Sequence, residues 1–516
     1  MDETSEQEAV PWYRDYSSNN PFRLYRKFCI PDKDPRNPHS DRFRTLAAFP
    51  WTRESHKSLW NDRKLEINTE NWNRMVDEYS DAILVGSDRQ IYVLWLHSAR
   101  RPLSIELPPQ PKSNDRIVPT DKTHVSWALS PDVLYQPFII FSNRYLLYIY
   151  SFQTKTVDTL LRGHGGHITS IALHPSLPHL FATTSRDFSV RIYDLTQKPR
   201  ERAENPIWPP RDTPSLAGPA HGLDLNDKEG IGIGRCVLVL MGGRSGGHMG
   251  DVFAASFHRH YPIIATCGMD RTVKIWHIPT ITPGGNMMRE DKPLLSASCI
   301  HTARVLSIDW LSDDLLLSHS APPFLATSND SIEDEGHDQD EEKPTEYTVG
   351  AGQMVLWRWL GLDRFFPPGW NEYETRQEVL RGCASDYEES ASYKIITSVD
   401  FPLQQTQYDT PSFHVFCESR HDPLVLYTYP GSTMVRVLNI ADFKPRKPPP
   451  CPWPEHEIIN ALTLDDDDAD SSCWEIVLDG MHNTRNETLE TCVMCMQGRT
   501  VVGAGSRSVW LWSASP

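Results

Sequence analysis

Short apolar runs alternate with polar, turn-forming stretches along most of this chain. Residues 81–98, DAILVGSDRQIYVLWLHS, read as two strands about a turn at Asp88. Residues 124–152, HVSWALSPDVLYQPFIIFSNRYLLYIYSF, read as a further series ending near Phe152. Apolar alternation with period two, bounded by Gly, Asp, Asn and Ser, is the signature of strands. Later runs repeat it: RVLSIDWLSDDLLLSHS from Arg304, QMVLWRWLG near Trp357, IITSVDF with FHVFCESRHDPLVLYTY, and TCVMCMQGRTVVGAGSRSVWLWSA ending at Trp512.

Two segments align with each other, Gly163–Leu195 and Gly247–Ile278. Each opens on Gly-His, runs into an alternating strand, and has a second strand ending at an aspartate turn, Asp187 or Asp270. An aromatic, Tyr193 or Trp276, follows six residues later. That recurrence is the WD40 pattern of four strands per blade. The predicted fold is all-β, a seven-bladed WD40 β-propeller with long loop insertions. The polar residues at matched positions are predicted to bond within blades: His164, Thr183 and Asp187 in one, and His248, Thr266, Asp270 and Trp276 in the next. A satisfied buried network of this kind fixes a blade. It is a poor nucleophilic triad, which must face a substrate.

A ring of blades must close. The strand-like run at 22–30 is predicted to complete the last blade beside Ser508–Trp512, with 1–20 a flexible tail and 21–516 the propeller. Seven blades need about 280 residues, so the remainder is assigned to insertions at 197–235, 321–350, 360–390 and 443–485. The second contains SIEDEGHDQDEEKPTE, too poor in apolar residues to fold alone. The last contains the polyproline-like KPRKPPPCPWPE and an acidic run at Asp465–Asp468.

Composition narrows the chemistry. The net charge of −17 disfavours broad contact with nucleic-acid phosphates and suits a basic partner. No sequence-specific nucleic-acid contact is expected. The opening Met-Asp-Glu-Thr-Ser-Glu is not a signal peptide, and no apolar run is long enough to span a membrane. The ten cysteines are scattered, as in a reducing compartment. Cys492 and Cys495 lack the second ligand pair that zinc needs and fall on opposite faces of a strand, so packing is their expected role. No metal or cofactor is expected. The sequon at Asn486 is read as chance. Gly243–Gly247 matches a nucleophile elbow but leads into a strand, and the glycines 230, 232 and 234 precede no helix, so neither is assigned chemistry.

At the repeats themselves the chain resembles a known family. The stretches Gly163–Leu195 and Gly246–Ile278, the Cys267–Asp270 turn, HTARVLSIDWLSDDLLLSHS and VGSDRQIYVLW are similar in order and spacing to the extra sex combs / embryonic ectoderm development proteins. The resemblance covers about residues 20–513 and is poor in the sixth blade. It implies a non-catalytic subunit of a Polycomb repressive complex 2-like assembly in the nucleus. Such a subunit binds a SET-domain histone methyltransferase and other Polycomb subunits, and supports methylation of a histone H3 lysine and transcriptional silencing. The alternative is a general WD40 adaptor, such as a histone chaperone or ubiquitin-ligase substrate receptor. The family also holds trimethyl-lysine in a cage of four aromatics, because a cation that cannot hydrogen-bond is bound by ring faces. Mapped without gaps, the cage positions fall on Thr45, Thr123, Thr397 and Ser398, none aromatic. A shifted alignment brings in Phe43 or Tyr393. The resemblance therefore implies a scaffold whose cage is lost, with the H3 tail left as a weak partner.

Overall fold

The computed structural model describes residues 11–15, 20–29, 42–61, 65–109, 122–203, 227–242, 246–327, 346–370, 384–401, 410–418, 421–445, 473–478, 487–506 and 508–514. Among them, seven sheets of four or five strands form a propeller. Their inner strands, blades one to seven in order, are Phe43–Ala48, Val125–Ser130, Ile168–Leu173, Val252–Phe257, Val305–Trp310, Ser412–Phe416 and Leu489–Cys495.

Blade four shows why the sequence takes this form. Its strands are Val252–Phe257, Ile263–Gly268, Val273–His277 and Leu295–Ala297, all antiparallel. Successive side chains point to opposite sheet faces. Ile263, Ala265 and Cys267 pack with Leu316 and Trp357 of blade five, whereas Ile264 and Trp276 pack with Ile192 and Val190 of blade three. Both faces are thus covered, and the second strand is buried throughout.

Antiparallel alternation places each second-to-third turn and each outer-to-inner crossover on one face, here the top. The first-to-second turns lie on the bottom. Phe22–Cys29 pairs antiparallel with Ser508–Ala514, from Phe22↔Ala514 to Cys29↔Ser508, so the two ends of the chain build blade seven together. Lys27 crosses this seam to Glu487 at 2.5 Å, and Glu487 accepts from the Ser508 hydroxyl at 3.0 Å. Cys492 and Cys495 are buried in different apolar clusters.

Several sequence expectations need correction. The run 393–400 does not open blade six; it is the outer strand of blade five, paired with Gln353–Trp359. A WD40 repeat begins with the outer strand of the preceding blade, so sequence repeat and blade are offset by one strand. The insertion expected over 443–485 contains the outer strand of blade six, Cys473–Val477, in which only Trp474 and Ile476 are inward markers. The insertion over 197–235 supplies a fifth strand to blade two, Gly230–Ile231. Part of the expected tail is docked. Trp12 packs edge-on against Phe22 and Trp474, and Arg14 makes two bonds to Asp422, 2.7 and 2.5 Å. A tryptophan with apolar faces to cover explains that docking. The sequence reading also missed helix α1, Thr69–Tyr79, which buries Trp72, Met75, Val76 and Tyr79 at helical spacing and is capped by the Asn68 side chain.

The acidic 328–345 stretch, 204–226, 371–383, the proline-rich 446–456, the run Asp465–Asp468, Ser245 and Asn486 lie outside the described residues.

Candidate functional site

The conspicuous His/Asp/hydroxyl sets are wired as structural networks. In blade four, Trp276 Nε1 donates to Thr266 Oγ1 at 2.9 Å, and Thr266 Oγ1 bonds His248 Nε2 at 2.8 Å. His248 Nδ1 then donates to Asp270 at 3.0 Å. Asp270 also accepts from the Met249 and Thr272 amides and the Thr272 hydroxyl. Burial alone would raise this carboxyl, but His248 and the amide and hydroxyl donors hold it well below the usual carboxylate range. Blade three repeats the set, with His164 bonded to Asp187 at 2.9 Å and to Thr183 at 2.7 Å. Tyr193 stands where blade four has tryptophan and still bonds Thr183. Both histidines are 2% exposed, with both ring nitrogens bonded, so neither can act on a substrate.

A third network escaped the sequence reading. His301 Nε2 bonds Ser318 Oγ at 2.7 Å, and Trp357 Nε1 donates to the same oxygen at 3.0 Å. Among the described residues no aspartate completes it. The turn that would carry one is replaced by residues 321–352, where Phe324–Thr327 pairs with Glu346–Val349. The His-Ser-Trp spacing was the available signal; Ile300 in place of the glycine of Gly-His hid it.

The four positions mapped to the family cage do not converge. Thr45 and Thr123 do meet at the top of blades one and two, where Thr45 Oγ1 donates to the Thr123 carbonyl at 2.6 Å. Gly86 fits against this bond because it has no side chain; a Cβ there would stand 2.2 Å from Thr45 Oγ1. Thr397 and Ser398 are instead buried in the outer strand of blade five. Phe43 is buried against Tyr92, and Tyr393 lies against Trp357.

Around the top mouth stand ionic groups. The inner strand of blade one opens on a bulge that leaves Arg44 as the extra residue, and blade seven does the same at Glu490. Arg44 faces Asp88 at 3.7 Å, and Arg42 faces Glu490 at 3.6 Å. Lys122, which precedes the blade-two inner strand, lies beside Arg44 and Glu490.

The bottom face differs in kind. There a concavity of about 3210 Å³ runs along the axis and across several blades. Its walls include Trp12, Leu173, Tyr261, Phe366, Trp370 and Phe416. Tyr261, Phe366 and Trp370 form one aromatic group, with centroids 5.2 to 5.9 Å apart. His174 and His258 shape the adjoining turns, each accepting two backbone N–H bonds at Nδ1. No group of three or more potential metal ligands occurs among the described residues.

Comparison with known proteins fits this architecture. The family described as WD domain, G-beta repeat matches residues 154–194 and 234–277. Polycomb group protein FIE1 of Zea mays is 29% identical over 192 residues, 34% of this chain and 32% of the maize protein. A probable cytosolic Fe-S cluster assembly factor of Schizosaccharomyces pombe is 29% identical over 171 residues, 30% of this chain and 26% of that protein. These matches span about a third or less of each relative. Among solved structures, a chain in the crystal structure of the Chaetomium thermophilum polycomb repressive complex 2 superposes with a TM-score of 0.56 at 15% identity, covering 95% of this chain and 97% of that one. At that identity the likeness is one of fold. The chain is a WD40 propeller with relatives among the Polycomb group proteins.

Proposed function

We propose that this propeller is a non-catalytic scaffold subunit of a Polycomb repressive complex 2-like histone H3 lysine methyltransferase, acting in the nucleus in transcriptional silencing. The observation that carries the reading is the similarity to Polycomb group proteins. A fold shared along nearly the whole chain with one from such a complex supports it. Fold alone would not, since propellers host many functions. A scaffold also suits the chemistry described above, in which the His/Asp/hydroxyl sets are committed within blades. The bottom concavity, with Tyr261, Phe366 and Trp370 at its rim, is the surface we assign to a segment of the SET-domain subunit. Removing the chain from its native cells is expected to lower H3 lysine methylation at silenced loci; unchanged methylation would overturn the reading.

The second reading, a general WD40 adaptor, is favoured by the equal identity to the Fe-S cluster assembly factor. Its expected outcome is full H3 methylation without this chain.

The trimethyl-lysine cage is absent on this reading. Hydroxyls offer no π face to a methylated ammonium, and Thr45 is engaged with the Thr123 carbonyl. A trimethylated H3 peptide is expected to bind the pure propeller no more than about twofold tighter than the unmodified peptide. Calorimetric titration of both peptides checks this, and strong methyl-dependent binding would contradict it.

A further inference from the structure

The top rim of blades three and four carries side chains that neither the blade networks nor the concavity uses. Phe188, Met249 and Met269 are exposed at 45%, 59% and 49%. Met249 and Met269 lie close together, and Phe188 is on the neighbouring blade's turn. A Cβ on Gly250 would be 3.0 Å from the Met269 Cβ. The Arg186–Asp251 pair, at 3.9 Å, joins the blade-three turn that holds Phe188 to the blade-four entry that holds Met249. Phe188 is also at φ 67°, and Arg271, which like Phe188 follows its turn's aspartate, is at φ 64°. Glycine or asparagine takes this left-handed backbone more easily. Arg144 takes the same backbone in the blade-two turn, so the turn sets the conformation, and what is particular to blade three is an exposed phenylalanine there.

Charge identifies what the rim suits. Asp187 and Asp270 are offset by the buried cations Arg191 and Lys274, while Asp88, Asp251 and Glu490 each face an arginine. Arg89 and Arg271, each in a second-to-third turn, stand exposed on the same face. Among the described residues this face is therefore basic, although the whole chain carries −17. We propose that the top rim docks an acidic peptide segment with apolar anchors. Met249, Met269 and Phe188 receive the anchors; Arg271 receives a carboxylate. Thioethers adapt to varied apolar shapes, and guanidinium forks match carboxylates. A nucleic-acid backbone would use the arginines but leave three apolar side chains uncovered, so the peptide is favoured. This inference goes beyond the scaffold role and does not depend on it.

Fluorescence anisotropy with the full chain tests it. The probe is a labelled peptide of aspartate and glutamate with leucine anchors; the comparison probes are its leucine-free counterpart and a single-stranded oligonucleotide. The leucine-bearing peptide is expected to bind saturably and more tightly than either. Arg271→Glu should weaken it about tenfold. Arg271→Gly and Phe188→Gly relieve the backbone, so they should weaken binding while leaving Tm unchanged or higher, a combination that a purely structural role would not give. Three results would overturn the proposal: no saturable binding of the acidic peptide, binding indifferent to Arg271→Gly and Phe188→Gly, or tighter binding of the oligonucleotide through the same residues.

Discussion

Acidification below about pH 5 is expected to unfold this propeller, at a pH where carboxylate titration alone would leave it folded. Four buried histidines, His174, His258, His301 and His319, are each 8% exposed or less. Burial pushes His174, His301 and His319 down to about 3 and His258 to about 4. In the unfolded chain each titrates near 6.5. Between those values the unfolded chain binds more protons than the native one, so protons favour unfolding. The stability these groups confer is complete above about pH 6.5 and is lost as pH falls toward their folded values. Near pH 5 each costs about 2 kcal/mol, and together they rival the roughly 5–15 kcal/mol stability of an ordinary domain. Asp187 and Asp270, held low in the fold, withdraw their contribution only below about pH 4. Asp309 acts in the opposite sense. Burial raises it to about 7, so it favours the native state more as pH falls. Asp291, which burial raises to about 6, acts in the same sense, and together the two offset only part of what the four histidines cost. Tryptophan emission against pH, with sixteen tryptophans as reporters, checks the midpoint. His319→Gln should move it to lower pH, because one ring nitrogen of His319 is buried without a bond. A native spectrum persisting to pH 4 would contradict this account.

Asp270→Ala is expected to destabilise the fold by about 3 kcal/mol, on the order of 5 °C in Tm. Its loss takes the carboxylate acceptor from the His248 Nδ1–H and from the Thr272 amide and hydroxyl inside blade four. Leaving buried donors without an acceptor costs more than the bond itself contributed. Asp251→Ala is the contrasting case. Its ion pair with Arg186 is long, at 3.9 Å, and partly exposed, so its removal is expected to cost less than about 1 kcal/mol. A double-mutant cycle of Asp270→Ala with His248→Ala should show strong coupling, since the histidine's burial is tolerable only with its acceptor present. Thermal melts within a degree of wild type for Asp270→Ala would show that the network is dispensable.

Much of the fold was legible because two blades keep every element of the repeat. The Gly-His pair, the period-two strands, the aspartate turn and the aromatic six residues later occur together at Gly163–Tyr193 and Gly247–Trp276, and each element has a bonding or packing reason to be there. Where the reasons lapse, so does legibility. Blade five keeps His301, Ser318 and Trp357 but has no partnering aspartate among the described residues, and a paired-strand insertion occupies its turn. The outer strand of blade six faces solvent on one side, so two buried residues are its whole apolar signal. Helix α1 follows its own 3.6-residue period inside a connection between two strands, where a search for period two passes over it. The candidate site was less legible still. Thr45 and Thr123 meet as neighbours in space, but Thr397 and Ser398 belong to an outer strand, because the one-strand offset between repeat and blade is invisible in a gap-free mapping. The bottom concavity and the top rim draw on residues far apart in the chain, and no local spacing connects them.

Purification of the tagged full-length chain from its native cells, with partners identified and quantified, tests the central claim most directly. The account predicts a SET-domain protein in near-stoichiometric amount, released by substitutions at Tyr261 and Trp370 on the bottom face and retained by Phe188→Gly on the top. Recovery of other partners with no SET-domain protein among them would contradict it.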